Sequence, residues 1–153
     1  MGARGIAGGI EEDWTRKQAA DPAEFARLVE TIKTEADPAT ELPPDLVHQT
    51  VLWFVEGNEF LGRLSIRHRL TPPLRELGGH IGYCVRPSAR RRGYATQMLA
   101  QSLPVAAGLG IDPALVTCDV DNVASRKVIE AAGGVLEDER HGKLRFWVPT
   151  RVF

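Results

Sequence analysis

The sequence predicts a single α/β domain in which a mixed sheet is flanked by helices. Segments rich in β-branched and aromatic residues, typical of strands, alternate with segments whose apolar residues recur with the helical period. A chain of 153 residues is usually one domain and is long enough to bury a core. We therefore expect residues 1–153 to form one domain, with residues 1–20 as a frayed N-terminal segment.

The first predicted helix spans residues 21–36 and opens with a capping signal. Asp21 is placed to cap, Pro22 suits the first helical position, and Glu24 can reach back to complete a capping box. The apolar residues that follow are spaced to form one buried face. They are Phe25, Leu28, Val29 and Ile32.

Two further helices are predicted in the second half of the chain. One spans residues 95–107, where Pro104 predicts a kink because it removes a backbone hydrogen bond. The other is capped by either Asp121 or Asn122, buries Ile129, and stops at Gly133.

The predicted strands are separated by turn signals. They span residues 50–55, 60–68, 80–85, 115–120, 135–139 and 144–148. A hairpin turn is expected at residues 56–59, and Gly62 predicts a bulge or a close approach of another backbone. Residues 70–79 contain two prolines and end in two glycines, so we expect a mobile loop.

Composition excludes several classes of protein. The net charge of −1 gives no general electrostatic case for binding nucleic acid or a membrane, and no apolar run reaches the ~18 residues of a membrane span. Cys84 and Cys118 lie in strand-like runs, where cysteine is usually a small buried hydrophobe. With four scattered histidines and no CxxC pair, no metal site is expected. A reduced, cytoplasmic location follows.

One motif joins the strand ending at Val85 to the helix after it, and it predicts a phosphate site. Arg90-x-x-Gly93-x-Ala95 combines small residues, which allow close approach of a ligand, with arginine charge. The N-terminus of the following helix adds free N–H groups and the positive end of its dipole.

This motif resembles the cofactor motif of GNAT-type N-acetyltransferases, which reads Gln/Arg-x-x-Gly-x-Gly/Ala between their fourth strand and third helix. Residues 79–87 resemble the family's fourth strand. Asn122-x-x-Ser125, followed by Ile129 and ending at Gly133-Gly134, resembles its fourth helix. The three motifs occur in the family's order and cover roughly residues 50–150. The resemblance implies a mostly antiparallel sheet whose fourth and fifth strands splay apart.

The resemblance also implies acetyl-CoA as co-substrate and an amine, of a small molecule or a peptide, as acceptor that attacks directly. It places a set of residues at the cofactor, with a backbone N–H near Val85 as donor to the thioester oxyanion. These residues are Cys84, Val85, Arg86, Arg90, Arg91, Arg92, Gly93, Tyr94, Ala95, Thr96, Asn122 and Ser125.

The catalytic groups are predicted less directly. His80 lies at one end of its strand and titrates near neutrality, which suits a general base, and Glu76 is a second candidate; either could also be a merely structural residue. Many relatives protonate the leaving thiolate with a tyrosine where this chain has Ile129. Ser125, Tyr83 or a water could substitute, or no acid is needed.

Two other functions compete with this one. A non-catalytic CoA-binding module is compatible with the missing tyrosine, and a nucleotide- or nucleic-acid-binding protein could use Arg90 to Arg92, although the balanced charge argues against it. The acceptor is not encoded by any chemical rule, but residues 70–79 and 135–144 are the loops expected to select it. The resemblance also allows a homodimer.

Overall fold

The sheet and its helices are seen in a computed structural model that describes residues 21–44 and 46–151. The predicted frayed segment, residues 1–20, lies outside the described residues. Within them the chain alternates strands and helices as predicted, in one six-stranded mixed sheet.

The described residues form three α-helices: α1 (Pro22–Ala36), α2 (Tyr94–Gly108) and α3 (Val123–Ala131). The Asp21 carboxylate accepts the N–H groups of Ala23 and Glu24 at 2.9 and 3.3 Å, which confirms the predicted cap of α1. Asn122, rather than Asp121, caps α3. Helix α2 continues through Pro104 without a break.

The sheet has the strand order β1-β2-β3-β4-β6-β5. Its strands are β1 (Gln49–Glu56), β2 (Glu59–Arg67), β3 (Ile81–Val85), β4 (Ala114–Asp119), β5 (Val135–Arg140) and β6 (Lys143–Val148). Neighbouring strands are antiparallel except β3 and β4, which are parallel. The hairpin predicted around residues 56–59 is confirmed as β1–β2, and β5 and β6 form a second hairpin.

The core lies between one face of the sheet and the helices α2 and α3. Alternate residues of the strands supply one side of it, and Met98, Leu99 and Ile129 supply the helical side. The opposite face carries α1 over β1, where the rings of Phe25 and Trp53 lie 5.6 Å apart. Phe25 is consequently more exposed than its helical spacing predicts.

Strands β3 and β4 diverge almost at once, and this divergence positions the site. They are paired at a single position, Ile81 with Val116, whereas all six residues of β4 pair with β6. On its other side β3 is held tightly to β2. A Cβ at Gly62 would lie 2.6 Å from the Cys84 carbonyl oxygen, so the predicted close approach at this glycine is confirmed.

Two expectations were wrong. Residues 70–79 are not irregular throughout, because Leu74–Gly78 form a π-helical turn that Gly79 closes with an N–H bond of 2.6 Å to the Leu74 carbonyl. Cys118 is buried as predicted, but Cys84 is exposed. Cys84 lies on the sheet face away from the core, near the end of β3 where the sheet has already opened.

Candidate active site

A cleft of about 940 Å³ lies where β3 and β4 separate. Its walls are β3, the end of β4, and the N-terminal turns of α2 and α3. The predicted cofactor residues that line it are Cys84, Val85, Arg90, Arg91, Gly93, Tyr94, Ala95, Thr96, Asn122 and Ser125. The cleft therefore brings together residues from three separate stretches of the sequence.

The N-terminus of α2 forms one end of this cleft and is arranged to accept an anion. Gly93 occupies the position before the helix with a φ of +79° and provides no side-chain cap, whereas α1 and α3 are capped by Asp21 and Asn122. The first N–H groups of a helix have no partner within it. At α2 they are thus left for a ligand, at the positive end of the helix dipole.

Arginine side chains surround the same end. The Arg90 Nε donates to the Val85 carbonyl oxygen at 3.1 Å, which holds this side chain against the end of β3. Arg91 also lines the cleft. Arg86 and Arg92 were predicted to do so but do not: Arg86 instead donates to the Phe60 carbonyl oxygen at 3.2 Å.

Beyond Ile81, the backbone of β3 that faces the gap has no partner on β4. The Arg86 N–H bonds the Leu61 carbonyl of β2 at 2.8 Å. Because backbone groups point alternately to the two sides of a strand, those of Cys84 also face β2, while those of Tyr83 and Val85 face β4. Since β4 has already diverged there, the Val85 N–H is directed into the cleft.

The α3 side of the cleft contains a short hydroxyl pair. Tyr83 Oη and Ser125 Oγ are 2.6 Å apart, and Ser125 is held in the first turn of α3, where its N–H donates to Asn122 Oδ1 at 3.1 Å. Burial raises the pKa of Tyr83, the hydrogen bond from Ser125 opposes this, and the nearby Cys118 adds to the rise. Ile129 is fully buried in the core.

His80 does not line the cleft. Its Nδ1 accepts the Leu115 N–H at 2.9 Å, and the residue is 9% exposed. Burial, followed by the charges of Arg75 and Arg67, lowers the pKa of His80 to about 4. The imidazole is therefore neutral at pH 7.

Glu76 also lies outside the cleft, in the π-helical turn. Its carboxylate pairs with Arg140 Nη1 at 2.9 Å and lies 3.4 Å from His141 Nε2. Since neither of these residues lines the cleft, the geometry of the cleft does not test their roles as bases, and those roles stay predictions.

The structure adds cleft residues that were not predicted, among them Thr117, Asp119 and Lys143. Thr117 Oγ1 donates to the Leu77 carbonyl at 2.8 Å and so ties the π-helical turn to β4. Lys143 forms an ion pair with Asp119 across the β4–β6 ladder. The one signal for them in the sequence was that Thr117 and Asp119 are polar residues within an apolar strand.

Within the described ranges, no cluster of His, Cys, Asp and Glu side chains is arranged to hold a metal ion. In the same part of the chain, no helix has the length and apolar character needed to cross a bilayer.

The profile of the acetyltransferase (GNAT) domain matches residues 11–135, which is most of the chain. The chain belongs to the GNAT acetyltransferase family. It is accordingly an N-acetyltransferase with acetyl-CoA as co-substrate. The cleft fits that molecule, because it joins an uncapped helix N-terminus flanked by arginines, suited to pyrophosphate, to a gap lined by β3 backbone that β4 does not pair.

Solved structures of acetyltransferases share this fold. The GNAT domain of Streptomyces lividans PAT is 18% identical with a TM-score of 0.58, and the match covers 84% of this chain and 86% of that one. A chimera of the spermidine N-acetyltransferase SpeG from Vibrio cholerae and hSSAT is 13% identical (TM-score 0.57; 82% and 76% covered). The Salmonella typhimurium acetyltransferase yncA, solved with acetyl-CoA, is 14% identical (TM-score 0.57; 91% and 77% covered). No curated protein matches the sequence.

Proposed function

We propose that this protein transfers the acetyl group of acetyl-CoA to a primary amine of a small molecule or a protein, by direct attack of the amine. The observation that carries the proposal is the divergence of β3 and β4 after a single registered pair. It opens a continuous path from the uncapped N-terminus of α2 to the Tyr83–Ser125 hydroxyl pair.

In this proposal the N-terminal turn of α2 binds the pyrophosphate. The free N–H groups of Tyr94, Ala95 and Thr96 and the side chains of Arg90 and Arg91 supply the donors. Arg92 is exposed beside them and adds charge without lining the cleft.

Bound acetyl-CoA supplies an activated thioester carbonyl. The Val85 N–H is the proposed donor to the oxygen that becomes negative there, and a donor of this kind is usually worth about 3 kcal/mol. His80 and Glu76 remain the predicted bases for the proton of the amine, and because neither lines the cleft, either would take up that proton through water. Since His80 Nδ1 accepts the Leu115 N–H, the neutral ring carries its own proton on Nε2, and His80 could take another only by giving up that hydrogen bond. Glu76 is therefore the base that the contacts favour.

The class of acceptor is supported by the family and by the neighbour named as a spermidine N-acetyltransferase, whose acceptor is an amine. The π-helical turn, held by Thr117, lies at the side of the cleft where we place the acceptor. The homodimer and the cytoplasmic location stay predictions.

Calorimetric titration with acetyl-CoA tests the cofactor site. We expect Gly93→Asp to abolish binding, because its carboxylate would lie where the phosphates are held, while a Cβ at Gly93 meets no atom within 4 Å and the fold should survive. Gly110→Asp is the matched control, since Gly110 has a similar φ of +83° and equally open surroundings at the other end of α2.

We expect Gly110→Asp to bind acetyl-CoA like the wild type. Equal affinity in all three proteins would refute the assignment of the site. Binding by the wild type without turnover of any amine would favour the alternative, a non-catalytic CoA-binding module.

A further inference from the structure

The position from which many relatives protonate the leaving thiolate cannot serve as an acid in this chain. Ile129 has no proton to donate, and it is fully buried in the core between α3 and the sheet. A residue that protonates sulfur must instead reach the cleft from another element.

Tyr83 is placed to do so. It lies on β3, two residues beyond the single β3–β4 pair at Ile81, so it stands near the closed end of the cleft, away from the anion-binding turn of α2. Its ring packs against the core and its hydroxyl reaches Ser125 on the opposite wall. A ligand arm that runs from α2 toward the point where the strands meet would end beside this hydroxyl.

The hydroxyl is held by a chain of contacts that begins at the cap of α3. Asn122 Oδ1 fixes the N–H of Ser125 at 3.1 Å, and Ser125 Oγ lies 2.6 Å from Tyr83 Oη. When the Ser125 hydroxyl donates to Tyr83 Oη, the phenolic proton is free to point to a third atom in the cleft.

We propose that Tyr83 is the general acid that protonates the departing thiolate, and that Ser125 is the residue that positions it. The inference rests on the proposed transfer from acetyl-CoA. The amine nitrogen bonds the thioester carbon and the carbonyl electron pair moves to oxygen; when that pair returns, the carbon–sulfur bond breaks and its electron pair leaves on sulfur. Tyr83 donates its phenolic proton to that sulfur, the amine nitrogen loses one proton to solvent, and solvent returns a proton to Tyr83.

The environment of Tyr83 suits an acid rather than a base. Burial raises the pKa of its phenol above the ordinary value near ~10, so the group is protonated at neutral pH. A CoA-type thiol with a pKa near ~8.5 is the stronger acid in water, so transfer of the phenolic proton to sulfur is uphill by itself. The hydrogen bond from Tyr83 strengthens as charge develops on sulfur, and the return of a proton from solvent to Tyr83 completes the transfer.

The direct test measures the pKa of the thiol of bound CoA, by following the ultraviolet absorbance of its thiolate as pH is raised. A phenol that donates to the thiolate favours the charged form, so Tyr83→Phe should raise the pKa of the bound thiol by about one unit. It should also lower kcat with acetyl-CoA by ~10²-fold or more, the usual contribution of general acid catalysis. Ser125→Ala should likewise raise the pKa of the bound thiol and lower kcat. The double variant should change these two quantities no more than Tyr83→Phe alone does, because the two residues act as one unit.

Tyr94→Phe is the matched control. Tyr94 is the other of the chain's two tyrosines, lines the same cleft, and donates its hydroxyl to Glu56 at 3.2 Å at the far end. We expect it to leave the pKa of the bound thiol unchanged, whatever it does to affinity. If CoA binds and its thiol titrates identically in wild type and Tyr83→Phe, the role of Tyr83 is refuted while the cofactor site stands. If CoA does not bind the wild type, the proposed function itself fails.

Discussion

The stability of this protein should fall on mild acidification because of one residue, His80. Its pKa is lowered to about 4 in the folded protein, with burial as the main cause and Arg75 and Arg67 as further causes, while an unfolded histidine titrates near ~6.5. Between these values the unfolded chain binds a proton that the folded chain does not. Stability contributed by neutral His80 is therefore complete above pH ~6.5 and is lost as pH falls toward 4, by about 1.4 kcal/mol per pH unit.

The total loss attributable to His80 is about 3 kcal/mol between pH 6.5 and 4. His80→Asn isolates it, because the Asn side-chain oxygen can accept the Leu115 N–H in place of Nδ1 but does not titrate. Urea unfolding of both proteins across this range gives the difference in the free energy of unfolding, in which all other titrating groups cancel. We expect the wild type to lose about 3 kcal/mol relative to the variant.

His80→Leu separates the charge from the hydrogen bond. It should be less stable than His80→Asn at pH 7.5 by about 1–3 kcal/mol, because the Leu115 N–H loses its acceptor. It should nevertheless share the flat pH response of His80→Asn. A wild-type stability that parallels both variants from pH 6.5 to 4 would contradict the reasoning.

Two further changes test the framework of the cleft by urea unfolding. Gly62→Ala should destabilise the protein by about 1–3 kcal/mol, because its Cβ would lie 2.6 Å from the Cys84 carbonyl oxygen. The control Gly108→Ala should be neutral or slightly stabilising, because a Cβ at Gly108 meets no atom within 4 Å. Equal effects of the two substitutions on the free energy of unfolding would refute the close packing of β2 on β3. Asn122→Ala should lower the free energy of unfolding by about 1 kcal/mol, because α3 loses its cap, and Asp121→Ala should lower it by less than about 0.5 kcal/mol. A larger loss for Asp121→Ala would show that Asp121 is the cap instead.

The elements were predictable because their signals are local. The helix cap at Asp21, the turn around Gly57 and the periodicity of α2 are each contained in a short stretch of sequence. The anion-binding end of the cleft was predictable for the same reason, since its arginines, its glycine and the helix start are contiguous. Even the close approach at Gly62 followed from a glycine within a strand pattern.

The environments of the catalytic candidates could not be predicted, because they depend on contacts between distant residues. The pKa of His80 is set by its burial and by Arg67 and Arg75, and its hydrogen bond comes from Leu115, 35 residues away. The pairing of Tyr83 with Ser125 spans 42 residues. Cys84 is exposed because its side chain lies on the sheet face away from the core, and the strand pattern alone does not reveal which face the helices cover.

Transfer of an isotopically labelled acetyl group from acetyl-CoA to a panel of primary amines, followed by mass spectrometry, tests the central claim most directly. Polyamines, amino acids and peptides with free amino termini make up the panel, and Gly93→Asp and Gly110→Asp are assayed beside the wild type. We predict labelled amide with at least one amine for the wild type and for Gly110→Asp, and none for Gly93→Asp. Label transferred equally well by Gly93→Asp would contradict the placement of acetyl-CoA in the cleft between β3 and β4.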